Sequence, residues 1–262
     1  MNNTEARSLS EFISLIEELT EEWTPKNVNW YLQLWFRGHA NKDWELKPGL
    51  HRLEDDAPGM GDEYYSEAQL METFKLRAPT YLERQPSTDW EWLFLMQHYG
   101  LRTRLLDWTE SSLIALYFAV RDNMGDVDGC VWVMSPWWLN YQTFDKYDLF
   151  AADDAKAIHH RPLLRGSKLK GKLPIAITPV HASSRIVAQR GVFTIHGTEK
   201  GALDKIIKRK KKVKDCLKQI IIPKNNIDRI RRELSVSGIS ETLIFPELSG
   251  LCREIKRDFF GD

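Results

Sequence analysis

The sequence contains few cysteines and no long hydrophobic segment, and both absences narrow the class of protein. Its three cysteines, Cys130, Cys216 and Cys252, are odd in number and far apart, which fits neither a disulfide framework nor a zinc site. No apolar run approaches the ~18 residues of a membrane-spanning helix, and the N-terminal MNNTEARSLSEF lacks the apolar core of a signal peptide. We therefore expect a cytoplasmic protein with no membrane partner.

Several catalytic motifs are absent as well. The chain has no glycine-rich phosphate loop, no G-x-G-x-x-G dinucleotide motif, no H-E-x-x-H metal motif and no G-x-S-x-G nucleophile motif. His159 and His160 are adjacent but lack a third ligand at a suitable spacing, so no metal site is predicted. These absences argue against ATP hydrolysis, Rossmann-type redox chemistry and zinc-dependent hydrolysis.

The composition is that of a soluble globular protein. The 262 residues are 42% hydrophobic and 28% charged, which is enough chain to bury the core of one large domain or two small ones. No internal repeat and no Gly/Ser linker interrupts the sequence, so a single domain over residues 1–262 is the simplest description. Helical and strand patterns follow one another along the chain, which indicates the α+β class.

Positive and negative charges are unevenly distributed. Residues 1–160 contain 14 Lys or Arg and 27 Asp or Glu, whereas residues 161–262 contain 23 and 10. This asymmetry predicts either a basic face in 161–262 that meets an anionic partner, or two halves that neutralise each other within the fold. Seven of the ten residues 205–214 are Lys or Arg, which is typical of a nucleic-acid-binding patch or of a solvated helix face. The candidate nucleic-acid-binding residues are Lys208, Arg209, Lys210, Lys211 and Lys212.

Hydrophobic periodicity and capping signals locate the predicted elements. Ser8 and Glu11 form a capping box for an opening helix at 8–24, and residues 30–36 alternate as a strand that ends at Arg37. Further helices are predicted at 64–84, 89–99, 113–120, 202–217, 225–236 and 247–259. Further strands are predicted at 105–109, 129–134, 174–180, 185–196, 218–222 and 242–245. Residues 39–63 are predicted as a loop and residues 136–172 as a long surface excursion.

Polar and charged residues interrupt three apolar segments. These segments are Arg37-Gly38-His39, Gln97 to Thr109, and Arg185 to Phe193. A buried charge is costly unless it is paired, so one interpretation is a structural network such as Arg104 with Asp107. The other interpretation is a ligand site, because arginine binds phosphate in a bidentate manner and Gly38 would let a ligand approach the backbone.

At these segments the sequence resembles the FRG domain family, which is named for Phe-Arg-Gly. That motif is Phe36-Arg37-Gly38 here, and the segment from Gln97 through Asp107-Trp108-Thr109 to Ala119 is similar to the central signature of the family. The segments Arg185…Gln189-x-Gly191-x-Phe193 and Thr242 to Leu251 are similar to its later motifs. The resemblance extends over nearly the whole chain.

The layout of this family resembles that of the ADP-ribosyltransferases, which cleave the nicotinamide bond of NAD. The resemblance implies an α+β domain with a central, split, mainly antiparallel sheet flanked by helices. It makes Arg37 the dinucleotide-binding arginine of the first strand and places Asp107-Trp108-Thr109 on the second strand. Gln189-Arg190-Gly191 resembles the third motif, and Gly191 stands where that superfamily has its catalytic glutamate.

The reaction and the resemblance together suggest a role for each residue. Loss of nicotinamide leaves positive charge on the ribose, which a carboxylate would stabilise. Asp107 is the candidate carboxylate, with Glu241 and Glu247 as weaker alternatives. The predicted catalytic residues are Asp107, Arg37 and Gln189, where Arg37 would hold the pyrophosphate.

The remaining predicted residues would bind the co-substrate. Gln189 and Thr109 would fix the ribose, and Tyr117 or Phe118 would stack on nicotinamide unless both are core residues. The predicted NAD-binding residues are Arg37, Gly38, His98, Arg104, Thr109, Tyr117 and Phe118, with His98 and Arg104 in supporting positions.

Two functions from different classes are consistent with these residues. The first is an NAD-consuming ADP-ribosyltransferase that modifies RNA or protein as a toxin or antiviral effector, with a neutralising antitoxin as partner. A variant of it is an NAD glycohydrolase, in which water is the acceptor. The second is a non-catalytic ligand- or nucleic-acid-binding module, which the glycine at position 191 favours.

Overall fold

A seven-stranded sheet forms the centre of the protein. The computed structural model describes residues 5–26, 32–56, 66–179, 184–209 and 216–260. The strands are Trp35–His39 (β1), Leu105–Thr109 (β2), Gly129–Met134 (β3), Phe150–Ala151 (β4), Ile175–Thr178 (β5), Gly191–Ile195 (β6) and Leu217–Ile222 (β7). Their order in the sheet is β4-β5-β6-β2-β1-β3-β7, and every neighbouring pair is antiparallel except β4 with β5. The predicted α+β class and the mainly antiparallel sheet are confirmed.

The sheet is weakly joined at its middle. Strands β1 and β2 share one residue pair, Phe36 with Thr109. By contrast, five residue pairs join β1 to β3 and five join β2 to β6. Beyond the Phe36–Thr109 pair, β1 and β2 diverge, so that β1-β3-β7 and β4-β5-β6-β2 form two halves with a cleft between them.

Helices cover both faces of the sheet. They are Leu9–Trp23 (α1), Gly49–Asp56 (α2), Glu67–Arg77 (α3), Asp89–His98 (α4), Ser112–Val120 (α5), Pro136–Phe144 (α6), Ser184–Ala188 (α7), Leu203–Lys208 (α8), Ile227–Val236 (α9), Glu241–Ile244 (α10) and Leu248–Phe260 (α11). Short 3-10 helices lie at Ala78–Tyr81, Ala155–His160 and Lys224–Asn226. None of the helices in the described part of the chain is long and apolar enough to cross a membrane.

Three hydrophobic clusters hold the helices to the sheet. The first packs α5, α1 and α9 against Phe36 and Val131 of the β1-β3-β7 half. The second lies on the opposite face, where Trp35, Trp108 and Trp132 meet α6 and α8. The third packs α3 and α4 against β2, β5 and β6. Helix α5 is thus buried on most sides, as its uniformly apolar sequence predicts.

Local signals fix several helix ends as predicted. The Ser8 hydroxyl accepts the Glu11 N–H at 3.2 Å and starts α1. The Glu11 carboxylate accepts the backbone N–H of Arg7 at 2.9 Å, one residue earlier than a standard capping box. Gly100 follows α4 with φ +81°, the left-handed conformation that ends many helices.

Several predicted segments are wrong. The loop at 39–63 contains α2, and the excursion at 136–172 contains α6, β4 and a 3-10 helix. Helix α6 forms because Pro136 stands at its start and its apolar side chains pack on the second cluster. Residues 242–245 lie mostly in the short helix α10, where the Ser240 hydroxyl accepts the Leu243 N–H at 3.3 Å.

The strand predictions at the two ends of the cleft also need correction. Strand β1 continues to His39, so Arg37 lies inside a strand instead of ending one. The segment 185–196 is divided into helix α7 and strand β6 by a turn at Arg190, which has φ +46°. Arg185 therefore lies on a helix, and Gln189 lies at the turn that follows it.

Candidate functional site

A cleft of about 360 Å³ opens where β1 and β2 diverge. Its walls come from β1, β2, the start of β6, the end of α4, one side of α5, and α7. The predicted residues that line it are Arg37, Gly38, His98, Asp107, Thr109, Phe118 and Gln189. The volume lies within the range of about 300–1,000 Å³ that is typical of small-molecule sites.

Arg37 lies on the β1 wall and is held by two neighbours. Its NH1 donates to the backbone oxygen of Asp107 at 2.7 Å, and its Nε donates to Nε2 of His39 at 3.0 Å. Burial and the adjacent guanidinium lower the pKa of His39 from about 6.5 to about 3, so that its ring is neutral and accepts this bond. A guanidinium has five N–H donors, so three remain for a ligand.

Asp107 supplies a carboxylate at the opposite wall. Its Oδ2 accepts a hydrogen bond from Nε2 of Gln97 at 2.8 Å and lies 3.7 Å from NH1 of Arg37. The hydroxyl of Thr103 donates to Oε1 of Gln97 at 2.6 Å, which fixes the amide with its nitrogen towards Asp107. The Asp107 side chain is 52% exposed, so the carboxylate is oriented by the protein and accessible to a ligand.

Thr109 and Gln189 are coupled to each other. The Thr109 hydroxyl donates to the backbone oxygen of Gln189 at 2.7 Å and accepts the Ser111 N–H at 3.0 Å. The Gln189 amide donates to the backbone oxygen of Ile244 at 3.3 Å. Thr109 therefore positions Gln189 at the cleft, and little of its own hydrogen-bonding capacity remains for a ribose.

Position 191 could hold a side chain without rearranging the backbone. Gly191 pairs with Thr109, and a Cβ placed on it would meet Ile186 at 3.5 Å, an ordinary van der Waals distance. The backbone at this position therefore does not require glycine. Asp107 is the acidic residue of the cleft that is fixed by a hydrogen bond to Gln97.

Two predicted site residues lie outside the cleft. Arg104 is 2% exposed, and its guanidinium pairs with the buried carboxylate of Glu67 rather than with Asp107. Tyr117 is 6% exposed, and its hydroxyl donates to the carboxylate of Glu241. The assignments of Arg104 and Tyr117 to co-substrate binding are corrected by these positions: Arg104 is a buried structural residue and Tyr117 a core residue.

The alternative carboxylates differ in position. Glu241 is 5% exposed and pairs with Arg121 and Arg253, so its charge is already compensated. Glu247 lies 3.9 Å from Nε2 of His98, at the edge of the cleft. Burial, followed by the charge of Arg185, lowers the pKa of His98 below its ordinary value. Neither glutamate lines the cleft as Asp107 does.

Comparison with known families finds one match, in the N-terminal half of the chain. The family model of the FRG domain matches residues 32–126, from the approach to β1 through α5. The chain is thus similar to the FRG domain over this range, which is little more than a third of its length. No curated protein and no solved structure matches the chain. The matched range includes Arg37, Gln97 and Asp107, whereas Arg185 and Gln189 lie beyond it.

The three residues that name the FRG domain have three different environments. Phe36 is 5% exposed in the cluster beneath α5, and Arg37 points to the cleft side, where it meets Asp107. A Cβ on Gly38 would overlap the backbone oxygen of Ala115 and come within 2.6 Å of the Ala119 nitrogen. Gly38 lines the cleft, but its lack of a side chain serves the close approach of α5 rather than of a ligand.

Trp44 and Arg185 line the cleft but were not among the predicted site residues. Trp44 is 56% exposed in the cleft wall, and its ring stands edge-on to His39 with centroids 6.1 Å apart. Arg185 brings a second guanidinium into the cleft from α7. Only the density of tryptophan in the sequence pointed to Trp44, and Arg185 was noted as part of a motif without a role. Phe118 lines the cleft but packs edge-on to Phe245, so Trp44 is the better stacking surface.

The basic stretch is described in part. Lys208 lies 3.8 Å from Asp204, and Arg209 lies 3.4 Å from Glu199. Lys210, Lys211 and Lys212 lie outside the described residues. Ion pairs also join the acidic and basic halves of the sequence, which supports neutralisation within the fold; examples are Lys205–Glu45, Lys218–Glu22, Arg190–Glu110 and Arg165–Glu72. In the part of the chain that can be described, no three His, Cys, Asp or Glu residues form a metal-binding group.

Buried histidines predict a loss of stability in acid. Burial lowers the pKa of His39 to about 3 and that of His160 to about 4, while an unfolded histidine titrates near 6.5. Below pH ~6.5 the unfolded chain therefore binds more protons, and stability falls until the pH reaches the folded pKa values. Each histidine contributes up to about 1.4 kcal/mol per pH unit, measurable as the free energy of urea unfolding between pH 8 and pH 4.5.

The matched controls compare slopes and not absolute stabilities. His160→Gln is expected to flatten the pH dependence, because the buried titrating group is gone. His159→Gln is expected to change it much less than His160→Gln does, because His159 is exposed. Equal slopes in the wild type and in His160→Gln would contradict the assignment.

Proposed function

We propose that this protein binds NAD in the cleft and transfers its ADP-ribose group to a macromolecular acceptor, RNA or protein. The observation that carries the proposal is the fixed pair at the cleft, in which the half-exposed carboxylate of Asp107 lies 3.7 Å from the Arg37 guanidinium. The toxin or antiviral role, and an antitoxin as partner, follow from this activity as proposals only.

The reaction assigns separate tasks to the two charges. When the bond between nicotinamide and ribose breaks, nicotinamide leaves as a neutral molecule with the electron pair, and positive charge remains on the ribose. The Asp107 carboxylate would stabilise this charge, and its hydrogen bond from Gln97 means that it needs no reorientation. The acceptor oxygen or nitrogen then bonds to the ribose carbon and loses its proton.

The other residues of the cleft fit the remaining parts of NAD. The free N–H groups of Arg37 suit the pyrophosphate, because arginine recognises phosphate with planar, bidentate geometry. The exposed indole of Trp44 offers a flat face for an aromatic base. The amide of Gln189, held at the cleft through Thr109, can bind a ribose hydroxyl.

A second function is favoured by one observation. Gly191 supplies no carboxylate to the cleft, although a Cβ there would meet only ordinary contacts, as expected of a binding module that has lost catalysis. A glycohydrolase, in which water accepts the ADP-ribose, uses the same residues as the transferase. The experiment therefore separates transfer, hydrolysis and binding alone.

The test uses NAD labelled in its adenylate part, incubated with the purified protein and with cellular RNA or protein. Asp107→Asn is expected to lower the rate of NAD consumption about 100-fold, because the amide keeps the shape but lacks the charge. Asp153→Asn, an exposed aspartate outside the cleft, is expected to retain the wild-type rate.

Each outcome identifies one function. Label in RNA or protein that disappears with Asp107→Asn supports the transferase and identifies the acceptor. NAD consumption without labelled macromolecule identifies a glycohydrolase. NAD that binds but is not consumed in any mixture identifies the binding module and overturns the catalytic proposal.

A further inference from the structure

Arg185 is a cation that lines the cleft. It lies on α7, and its guanidinium carbon is 4.8 Å from the ring centroid of Phe245. Within the described ranges it forms no ion pair. A partly buried arginine without a counter-ion is costly, which indicates that an anion completes its environment.

Two other arginines contact the Phe245 ring, but both of them form ion pairs. Arg121 and Arg253 stand 4.8 Å and 4.9 Å from the Phe245 centroid. Oε1 of Glu241 lies 3.2 Å from Arg121 NH2 and 2.5 Å from Arg253 Nε. Glu241 thus compensates Arg121 and Arg253, whereas Arg185 lines the cleft and has no ion pair with another described residue.

Arg185 and Arg37 lie on the two sides of β2. Arg37 is on β1, Arg185 is on the helix that leads into β6, and β2 is the strand between β1 and β6. Both arginines line the same cleft, which is therefore bordered by one arginine on each side of β2. Two cations that border one cleft can each contact one of two adjacent phosphoryl groups.

We propose that Arg185 and Arg37 together form a binding site for the diphosphate of a nucleotide, in which each arginine contacts one phosphoryl group. The inference rests on the proposed function for the choice of a dinucleotide. Diphosphate binding is nevertheless a property of the cleft that can be measured without any turnover.

The test is calorimetric titration of the full chain with inorganic pyrophosphate and, separately, with inorganic phosphate. We expect pyrophosphate to bind at least about ten-fold more tightly, because it engages both guanidinium groups. Arg185→Gln is expected to weaken pyrophosphate binding by about 10- to 100-fold. Arg185→Lys is expected to bind pyrophosphate with an affinity between those of the wild type and Arg185→Gln, since lysine keeps the charge without the bidentate geometry.

Arg253→Gln is the matched control, because Arg253 contacts the same ring but is paired with Glu241. It is expected to bind pyrophosphate within about two-fold of the wild type, and thermal melts establish that each variant is folded. Wild-type affinity in Arg185→Gln, or an equal loss in Arg253→Gln, would overturn the proposal.

The proposed function and this inference can fail separately. Pyrophosphate binding that depends on Arg185, with NAD left intact, supports the diphosphate site and overturns only the catalytic proposal. NAD turnover that is unaffected by Arg185→Gln, with no pyrophosphate binding, supports the enzyme and overturns only the role of Arg185.

Discussion

Replacement of Arg104 by Met is expected to lower the free energy of unfolding by about 3–5 kcal/mol, because it leaves a buried carboxylate without its partner. Arg104 is 2% exposed, and its guanidinium pairs with Glu67, which is also 2% exposed. It further donates to the backbone oxygens of His160 and Arg161 at 3.2 Å each, and to that of His196. One side chain thus ties α3, the start of β2, the end of β6 and the segment before β5 together.

Urea unfolding of Arg104→Met measures this loss directly. Arg165→Met is the matched control, because Arg165 forms a pair with Glu72 in which the side chains are 87% and 58% exposed. Exposed pairs contribute about 0–1 kcal/mol, so the control is expected to unfold close to the wild type. Equal decreases in the free energy of unfolding of the two variants would show that the buried ion pair stabilises the protein no more than the exposed one does.

A change of Gly38 to Ala is expected to destabilise the protein by about 3 kcal/mol or more, which is large for the addition of one methyl group. The new Cβ would overlap the backbone oxygen of Ala115 and approach the Ala119 nitrogen to 2.6 Å. These are backbone atoms of a buried helix and cannot rotate away, so α5 must move from β1. Movement of α5 would displace Phe118 and the wall of the cleft that it forms.

Gly191→Ala provides the control for this prediction. Gly191 also lies on a strand that lines the cleft, but its added Cβ would meet Ile186 at 3.5 Å and needs no rearrangement. We expect Gly191→Ala to unfold within about 1 kcal/mol of the wild type, as most substitutions without a clash do. A stable Gly38→Ala would show that α5 can move away from β1 at little cost and would reject the packing role of this glycine.

The residues of the Phe36-Arg37-Gly38 motif have different roles in the structure. Phe36 and Gly38 pack against α5 although they also line the cleft, whereas the charged group of Arg37 meets Asp107 there. Loss of activity in a Gly38 variant would therefore report on the fold, and loss in an Arg37 variant on the site. Stability and activity must be measured on the same preparations to keep these roles apart.

Much of the fold follows from local signals in the sequence. The cap at Ser8, the glycine that ends α4, and the continuous apolar runs of α5 and β3 lie where the sequence predicts them. Such features depend on residues within a few positions of one another. They can be read from the sequence because the atoms that interact are neighbours along the chain.

The ion-pair partners of the charged residues were harder to predict from the sequence than the helices and strands. The sequence suggested Arg104 with Asp107, three residues apart, but Arg104 pairs with Glu67 and Asp107 with Arg37, 37 and 70 residues away respectively. Leu105 and Leu106 pack into different clusters because side chains alternate along β2, and Arg104 lies just before this strand whereas Asp107 lies within it. The alternation can be predicted from the sequence, but the residues that each side chain contacts in the folded protein cannot.

The sequence by itself determined the α+β class, most of the elements and the residue types of the cleft, because periodicity, caps and the FRG motif are local. Only the tertiary structure decided that Trp44 is exposed beside Arg37, that Arg185 enters the cleft from a helix, and that Gly38 admits α5. Exposure, ion pairing and close packing are properties of segments brought together from distant parts of the chain. Their free energies depend on the distances between β1, β2 and α7, which are set only when these elements pack together.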